Sequence, residues 1–145
     1  MGDRPGRGRA RHDRRGRLSG EAAVRRIDLL ALRDLPDGTM QMAWADGTDP
    51  VIVVHTGGIV RAYQGTCTHE YFELDKGFLT GGGSVGTNGR PAGTLTCALH
   101  LSRFDLATGE ALDPPAELPL AAYDVVIEHD RVLIEVPEGP LAINE

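Results

Sequence analysis

The chain has little with which to brace itself covalently and nothing long enough to cross a membrane as a helix. Its 145 residues include two cysteines, one tryptophan and only seven aromatics in all. Two cysteines are too few for a disulfide-dense secreted scaffold. No stretch approaches the ~20 apolar residues of a membrane span. A formal charge of −6 leaves no basic excess for general nucleic-acid binding. Past Leu35 no window shows a clean helical period. The length supports one domain, large enough to bury roughly two-thirds of its unfolded surface without disulfide staples.

Charge is unevenly placed. Residues 1–17 hold seven Arg against Asp3 and Asp13, a net +5, which leaves −11 on the remainder. Between Met1 and Leu18 the only apolar residue is Ala10, so residues 1–23 read as a disordered Arg-rich extension. A phosphate-seeking arm is one reading of it. A twin-arginine export signal at Arg14-Arg15 is another, but Glu21, Arg25, Arg26, Asp28 and Arg33 interrupt the apolar stretch that should follow. The plain reading, a dispensable extension with translation starting near Val24, is preferred.

From residue 24 the pattern is one of short strands. Residues 40–44 alternate; residues 51–54 and 59–63 are β-branched runs parted by Gly57-Gly58. Residues 123–127 and 132–136 flank His129-Asp130 as a hairpin, and residues 103–106 and 110–112 flank the Thr108-Gly109 turn. Closely spaced strands of this kind predict an all-β fold, a small antiparallel sandwich or barrel over residues 24–137, with 138–145 as a tail. Residues 81–93 hold six Gly and one Pro and read as a loop insertion too flexible to contribute to a core. They carry no Gly-Lys-Ser/Thr phosphate cradle. Asp113-Pro114-Pro115-Ala116 reads as a stiff connection, because proline fixes φ.

Four residues stand out. Cys67 and His69 sit in Cys-Thr-His, and Cys97 and His100 sit in Cys-Ala-Leu-His. Both cysteines of the chain thus have a histidine within three residues, although it holds only five histidines. Thiolate and imidazole suit zinc, copper and iron–sulfur centres. A Cys67–Cys97 disulfide would leave both histidines unexplained. A single structural zinc fits the donor set, but zinc fingers usually group like ligands together. Loops that each supply one sulfur and one nitrogen suit a binuclear centre, and a [2Fe–2S] cluster with two Cys on one iron and two His on the other meets that description.

The two motifs, RAYQGTCTHE at residues 61–70 and CALHLSRF at residues 97–104, resemble those of the Rieske iron–sulfur proteins. The resemblance runs from about residue 27 to residue 136. It implies an all-β Rieske-type sandwich or barrel with a cluster-binding subdomain built from two loops. It also implies that Cys67 and Cys97 bind the inner iron and His69 and His100 the outer one, with Pro114 and Pro115 in a loop covering the cluster. Within the family the text is most similar to the ferredoxins of toluene and alkene monooxygenases, which serve a diiron hydroxylase. Ferredoxins of aromatic-ring dioxygenases are nearly as similar. The small Rieske subunit of nitrite reductases is a third relative, but it often lacks part of the ligand set present here. The 27 residues between His69 and Cys97 exceed the usual ferredoxin spacing, and the excess coincides with residues 81–93. High-potential respiratory members add a disulfide between the loops, and no cysteine remains here to form one. They also follow the second loop with a Ser and a Tyr that bond the cluster; Ser102 holds the first position and Phe104 replaces the Tyr.

Imidazole in place of thiolate makes the oxidised cluster formally neutral instead of a dianion. This lifts Rieske potentials to roughly −150 to +300 mV, against about −400 mV for plant-type clusters. The resemblance therefore implies a cytoplasmic electron carrier, not itself a catalyst. Its partners would be an FAD-containing, NADH-dependent reductase and a terminal oxygenase, preferably a diiron monooxygenase, with no nucleic acid or membrane involved. A zinc-stabilised regulatory module is the alternative from another class. Tyr63, Tyr71, Phe72, Phe78 and Phe104 read as core and cluster-shielding residues, and His55 and His129 as structural or exposed. Glu70, Glu73 and Asp75 read either as a solvated face or as an acidic docking surface.

Overall fold

The computed structural model describes residues 23–145; the Arg-rich extension lies, but for residue 23, outside the described residues. Among the described residues nine antiparallel strands form two sheets. The larger has the order β1 (Val24–Ala31), β9 (Arg131–Pro137), β8 (Ala122–Glu128), β4 (Ile59–Gln64), β3 (Asp49–Thr56), β2 (Thr39–Ala45). The smaller is β5 (Phe78–Thr80), β6 (Thr94–Thr96), β7 (Arg103–Asp105). Among the described residues the only helical pieces are two single 3-10 turns, Leu32–Asp34 and Leu74–Lys76. The larger sheet curls until its end strands approach, and Arg25 of β1 pairs with Asp46 beyond β2 at 2.7 Å. The architecture is the expected all-β one.

Strand β3 explains how one sheet serves two cores. Val51, Ile52, Val53 and Val54 are all fully buried. Val51 and Val53 join Ile27, Leu35, Val132 and Ile134 inside the curled sheet. Ile52 and Val54 face the other way, onto Leu74, Leu95, Phe104 and Leu106 of the smaller sheet and its loops. A strand covered on both faces loses alternation and becomes an unbroken apolar run. Strand β9, covered on one face, keeps it: Val132, Ile134 and Val136 are buried. His129 and Asp130 join β8 to β9 with φ of 51° and 65°, the left-handed pair that a two-residue hairpin turn requires.

Three strands escape the sequence pattern. In β1 the register with β9 shifts between Asp28 and Leu30, so the buried residues Ile27 and Leu30 fall three apart, not two. Strands β5 and β6 are only three residues each, too short for a period to show. The Gly-rich insertion also differs from its expectation. Val85 bridges Pro91, Ala92 N–H donates to the Ser84 carbonyl, and Ala92 is buried in the second core. Glycine lets this hairpin lie flat on the β3–β4 turn, where Asn88 Nδ2 donates to the Gly57 carbonyl and Thr56 Oγ1 to the Ala92 carbonyl.

Residues 138–145 lie back on the domain: Leu141 is buried in the first core, and the Tyr123 hydroxyl donates to the Ala142 carbonyl at 2.7 Å. Two glycines set up the loops that leave the sheets. A Cβ on Gly65, just past β4, would stand 2.6 Å from Met42 Sδ and 2.8 Å from Pro50. One on Gly77 would overlap the Thr96 carbonyl, the residue before Cys97.

The Gly77→Ala variant must therefore push β5 away from β6, and we expect it to fold poorly and to lose bound metal, measured by soluble yield and metal content. The two sheets are also pinned by the buried Tyr63 hydroxyl of β4, which donates to the carbonyl of Leu106, just past β7, at 2.6 Å. Tyr63→Phe should cost about 1–3 kcal/mol by stranding that carbonyl, read as a lower denaturation midpoint with native spectra retained.

Candidate metal centre

Two turns at the same end of the domain carry the four sequence-selected residues. After β4 the chain closes with Cys67 N–H donating to the Phe72 carbonyl at 3.1 Å and Leu74 N–H to the Gly65 carbonyl at 2.9 Å. Between β6 and β7, Cys97 N–H donates to the Ser102 carbonyl and Leu101 N–H to the Cys97 carbonyl, both at 2.9 Å. Each cysteine is thus fixed at the foot of its turn, and each histidine is carried at the tip. Leu101 reaches this arrangement at φ 63°, a costly conformation for a branched residue.

The structure brings all four residues together, and in two distinct pairs. Cys67 and Cys97 are buried free thiols beside each other and form no disulfide. Burial pushes the Cys97 thiol up, as does Cys67 beside it, while the amides of Leu99 and His100 pull it down by donating to the sulfur. His69 and His100 are exposed, their rings edge-on with centroids 4.9 Å apart. Their Nδ1 atoms face each other at 3.2 Å. Two nitrogens on one tetrahedral metal, each bonded at about 2.1 Å, would stand about 3.4 Å apart.

The pairing separates the metal alternatives. Around one zinc, two sulfurs and two nitrogens would all lie within about 3.8 Å of one another. Among the described residues, the group of three or more such side chains whose ligand atoms lie within 4.8 Å is His69, Glu70 and His100; neither thiol belongs to it. Sulfurs together on the inside and nitrogens together on the outside fit two metals and not one. The residues present therefore fit a [2Fe–2S] cluster. Glu70 Oε1 stands 3.9 Å from His69 Nδ1 at the exposed side.

The surroundings hold the two turns together. Residues 113–121 cross behind both: Thr68 Oγ1 donates to the Leu118 carbonyl at 2.8 Å, and Ser102 Oγ accepts from Ala116 N–H at 3.2 Å. Ser102 is buried, and its own hydroxyl proton remains free to be donated. Pro114 is exposed and Pro115 half-buried in this crossing segment, while Phe104 is fully buried beneath the second turn. Arg103 grips Asp113 through two bonds of 2.6 and 3.1 Å, which hold the Asp113 carboxyl below its ordinary range. His55 is structural, its Nδ1 2.7 Å from the Leu35 carbonyl, and His129 lies exposed in its hairpin turn. Of the acidic trio, Glu73 is taken up by Lys76 at 3.4 Å, leaving Glu70 and Asp75 exposed. Sequence reasoning gave no role to Gln64, Gly65 and Thr68, although the first motif contains them, nor to Gly77. A glutamine in an apolar strand three residues before Cys67 was the one visible signal among them.

The fold has counterparts among known proteins. The Rieske [2Fe-2S] domain model matches residues 25–124. The ferredoxin component of biphenyl 2,3-dioxygenase from Rhodococcus jostii (strain RHA1) is 32% identical over 106 residues, 73% of this chain and 88% of the relative. That of the naphthalene 1,2-dioxygenase system from Pseudomonas aeruginosa is 31% identical over 110 residues, 76% and 94% of the two chains. The solved ferredoxin of carbazole 1,9a-dioxygenase from Nocardioides aromaticivorans IC177 superposes with a TM-score of 0.61 at 31% identity, covering 78% of this chain and 98% of its own. None of the three is named for a diiron monooxygenase. Sequence and fold agree over most of the described residues, and the chain belongs to the Rieske [2Fe–2S] domain family, with a [2Fe–2S] cluster as its cofactor.

Proposed function

We propose that the chain is a one-electron carrier that takes electrons from an FAD-containing, NADH-dependent reductase in the cytoplasm and delivers them to the terminal oxygenase of an aromatic-ring dioxygenase. The observation that carries this reading is the division of the site, with both thiols buried and both imidazoles exposed. Its relatives' names supply the kind of oxygenase. This replaces the preference for a diiron monooxygenase. That preference leaned on the two motif stretches, which surround the ligands and therefore look alike in ferredoxins of both kinds.

Cys67, Cys97, His69 and His100 would hold the cluster. When bound, it supplies a site that gains or loses one electron without a proton donor or substrate pocket. Cys67 and Cys97 would hold it from the buried side, where the Leu99 and His100 amides favour the charged form of the Cys97 sulfur. His69 and His100 bring its outer side to the surface, where a partner can approach closely.

The surface around the imidazoles favours contact over steering. Tyr71 is 69% exposed and Leu101 61%, on the same turns as the histidines, with Leu99 and Leu118 also exposed nearby. Exposed apolar side chains gathered at a functional end mark a docking face. Glu70 is the charged group closest to the ring pair.

Anaerobically purified protein should contain about two irons and two sulfides per chain and give a rhombic EPR signal on reduction. His69→Ala or His100→Ala should abolish that signal. A colourless protein holding one zinc would overturn the assignment. For docking, Leu101→Gln should slow electron delivery to the oxygenase while leaving the EPR signal unchanged. Raising salt to physiological strength should change the rate by less than about tenfold, the lower end of what charge steering provides.

A further inference from the structure

We propose that residues 141–144 act as a strap that positions the first ligand loop, with Gln64 and Asn144 as its positioning residues. The inference rests on the [2Fe–2S] reading of the site and goes beyond it, since neither residue is among the four proposed ligands; Gln64 lies in the first motif without a role there, and Asn144 lies outside both motifs.

Gln64 is the last residue of β4, is 1% exposed, and uses its whole carboxamide. Its Oε1 accepts from Ala121 N–H at 2.8 Å and from Asn144 N–H at 2.9 Å. Its Nε2 donates to the Thr66 carbonyl at 2.9 Å and to the Asn144 carbonyl at 2.8 Å. Toward Asn144 the side chain behaves as a neighbouring strand would, pairing with both N–H and C=O of one residue. Toward Thr66 it fixes the peptide that leads into Cys67.

Three segments thus meet on one buried amide: the start of the first ligand loop, the crossing segment that touches both loops, and residues 141–144. Asn144 adds a second hold, its Nδ2 donating to the Pro119 carbonyl at 2.8 Å. Leu141 anchors the strap in the first core, and the Tyr123 hydroxyl donates to the Ala142 carbonyl. Burial pushes that hydroxyl up to about 12, so it stays a donor at any ordinary pH. A buried amide that loses such partners has no water to replace them. If the strap leaves, Gln64 is stranded, and the Thr66 peptide and Cys67 lose their fixed position.

The test uses the full-length, cluster-loaded protein and three variants. Truncation after Leu141 removes the strap, Gln64→Met removes the amide at similar volume, and Asn144→Pro removes the N–H that Gln64 binds. Asn144→Ala keeps that N–H and removes only the side-chain hold on Pro119, which separates the two contacts. Cluster loss is followed by visible bleaching in a chelator, beside the EPR signal and reduction potential. We expect the first three variants to bleach about tenfold faster, the factor one lost buried hydrogen bond carries, with shifted g-values and a shifted potential. Asn144→Ala loses only the exposed Pro119 hold and should fall between the parent and Asn144→Pro. Bleaching, g-values and potential equal to the parent's in Asn144→Pro and in the truncation would overturn the strap. A parent chain that holds no cluster would instead overturn the metal-centre reading.

Discussion

The metal end depends on backbone hydrogen bonds that close each ligand turn over its own cysteine. Cys67 N–H reaches across to the Phe72 carbonyl, and Cys97 N–H to the Ser102 carbonyl. Both are short returns of the chain, so each thiol is pinned at the base while the histidine two or three residues on projects outward. That local geometry, used twice, sorts sulfur inside and nitrogen outside. Long-range contacts then have one task left, to hold two pre-formed turns at a fixed separation.

They do so from behind. Residues 113–121 touch one turn through Thr68 and the other through Ser102, and the Arg103–Asp113 pair tethers the start of this segment. The exposed ion pair adds little stability by itself, but it fixes the direction in which the crossing segment sets out. Beneath lies a core of Leu74, Leu95, Phe104 and Leu106, packed on the outer face of β3. Close-packed interiors resist small displacements, so the sulfur pair rests on a rigid floor.

The four residues that gather at the metal end stood out in the sequence because metal chemistry uses few residue types and the chain has few to spare. The long strands were legible where burial is one-sided, as in β9, or fully two-sided, as in β3. Strand β1 was hidden by its bulge, which converts a two-residue spacing into a three-residue one that mimics a helix. Gly-rich composition could not reveal that residues 81–93 fold into a hairpin lying flat on another turn, because that follows from a partner surface far away in sequence. Gln64 and Gly77 were obscure for the same reason: one amide's four partners and one missing Cβ acquire meaning only when distant segments meet. The choice between oxygenase types lay beyond the motifs altogether, since ligand loops are shaped by the cofactor more than by the partner.

The insertion meets the domain at the Gly57 turn, while the first ligand loop leaves from the opposite end of β4. About 20 Å of strand lies between them at about 3.3 Å per residue. At its tip Gly89 faces open space. A dye, a surface linker or an electrode tether attached there would hold the molecule from behind, with the imidazole face turned to solution and unobstructed. The hairpin is thus a built-in handle for orienting single-electron traffic on a solid support.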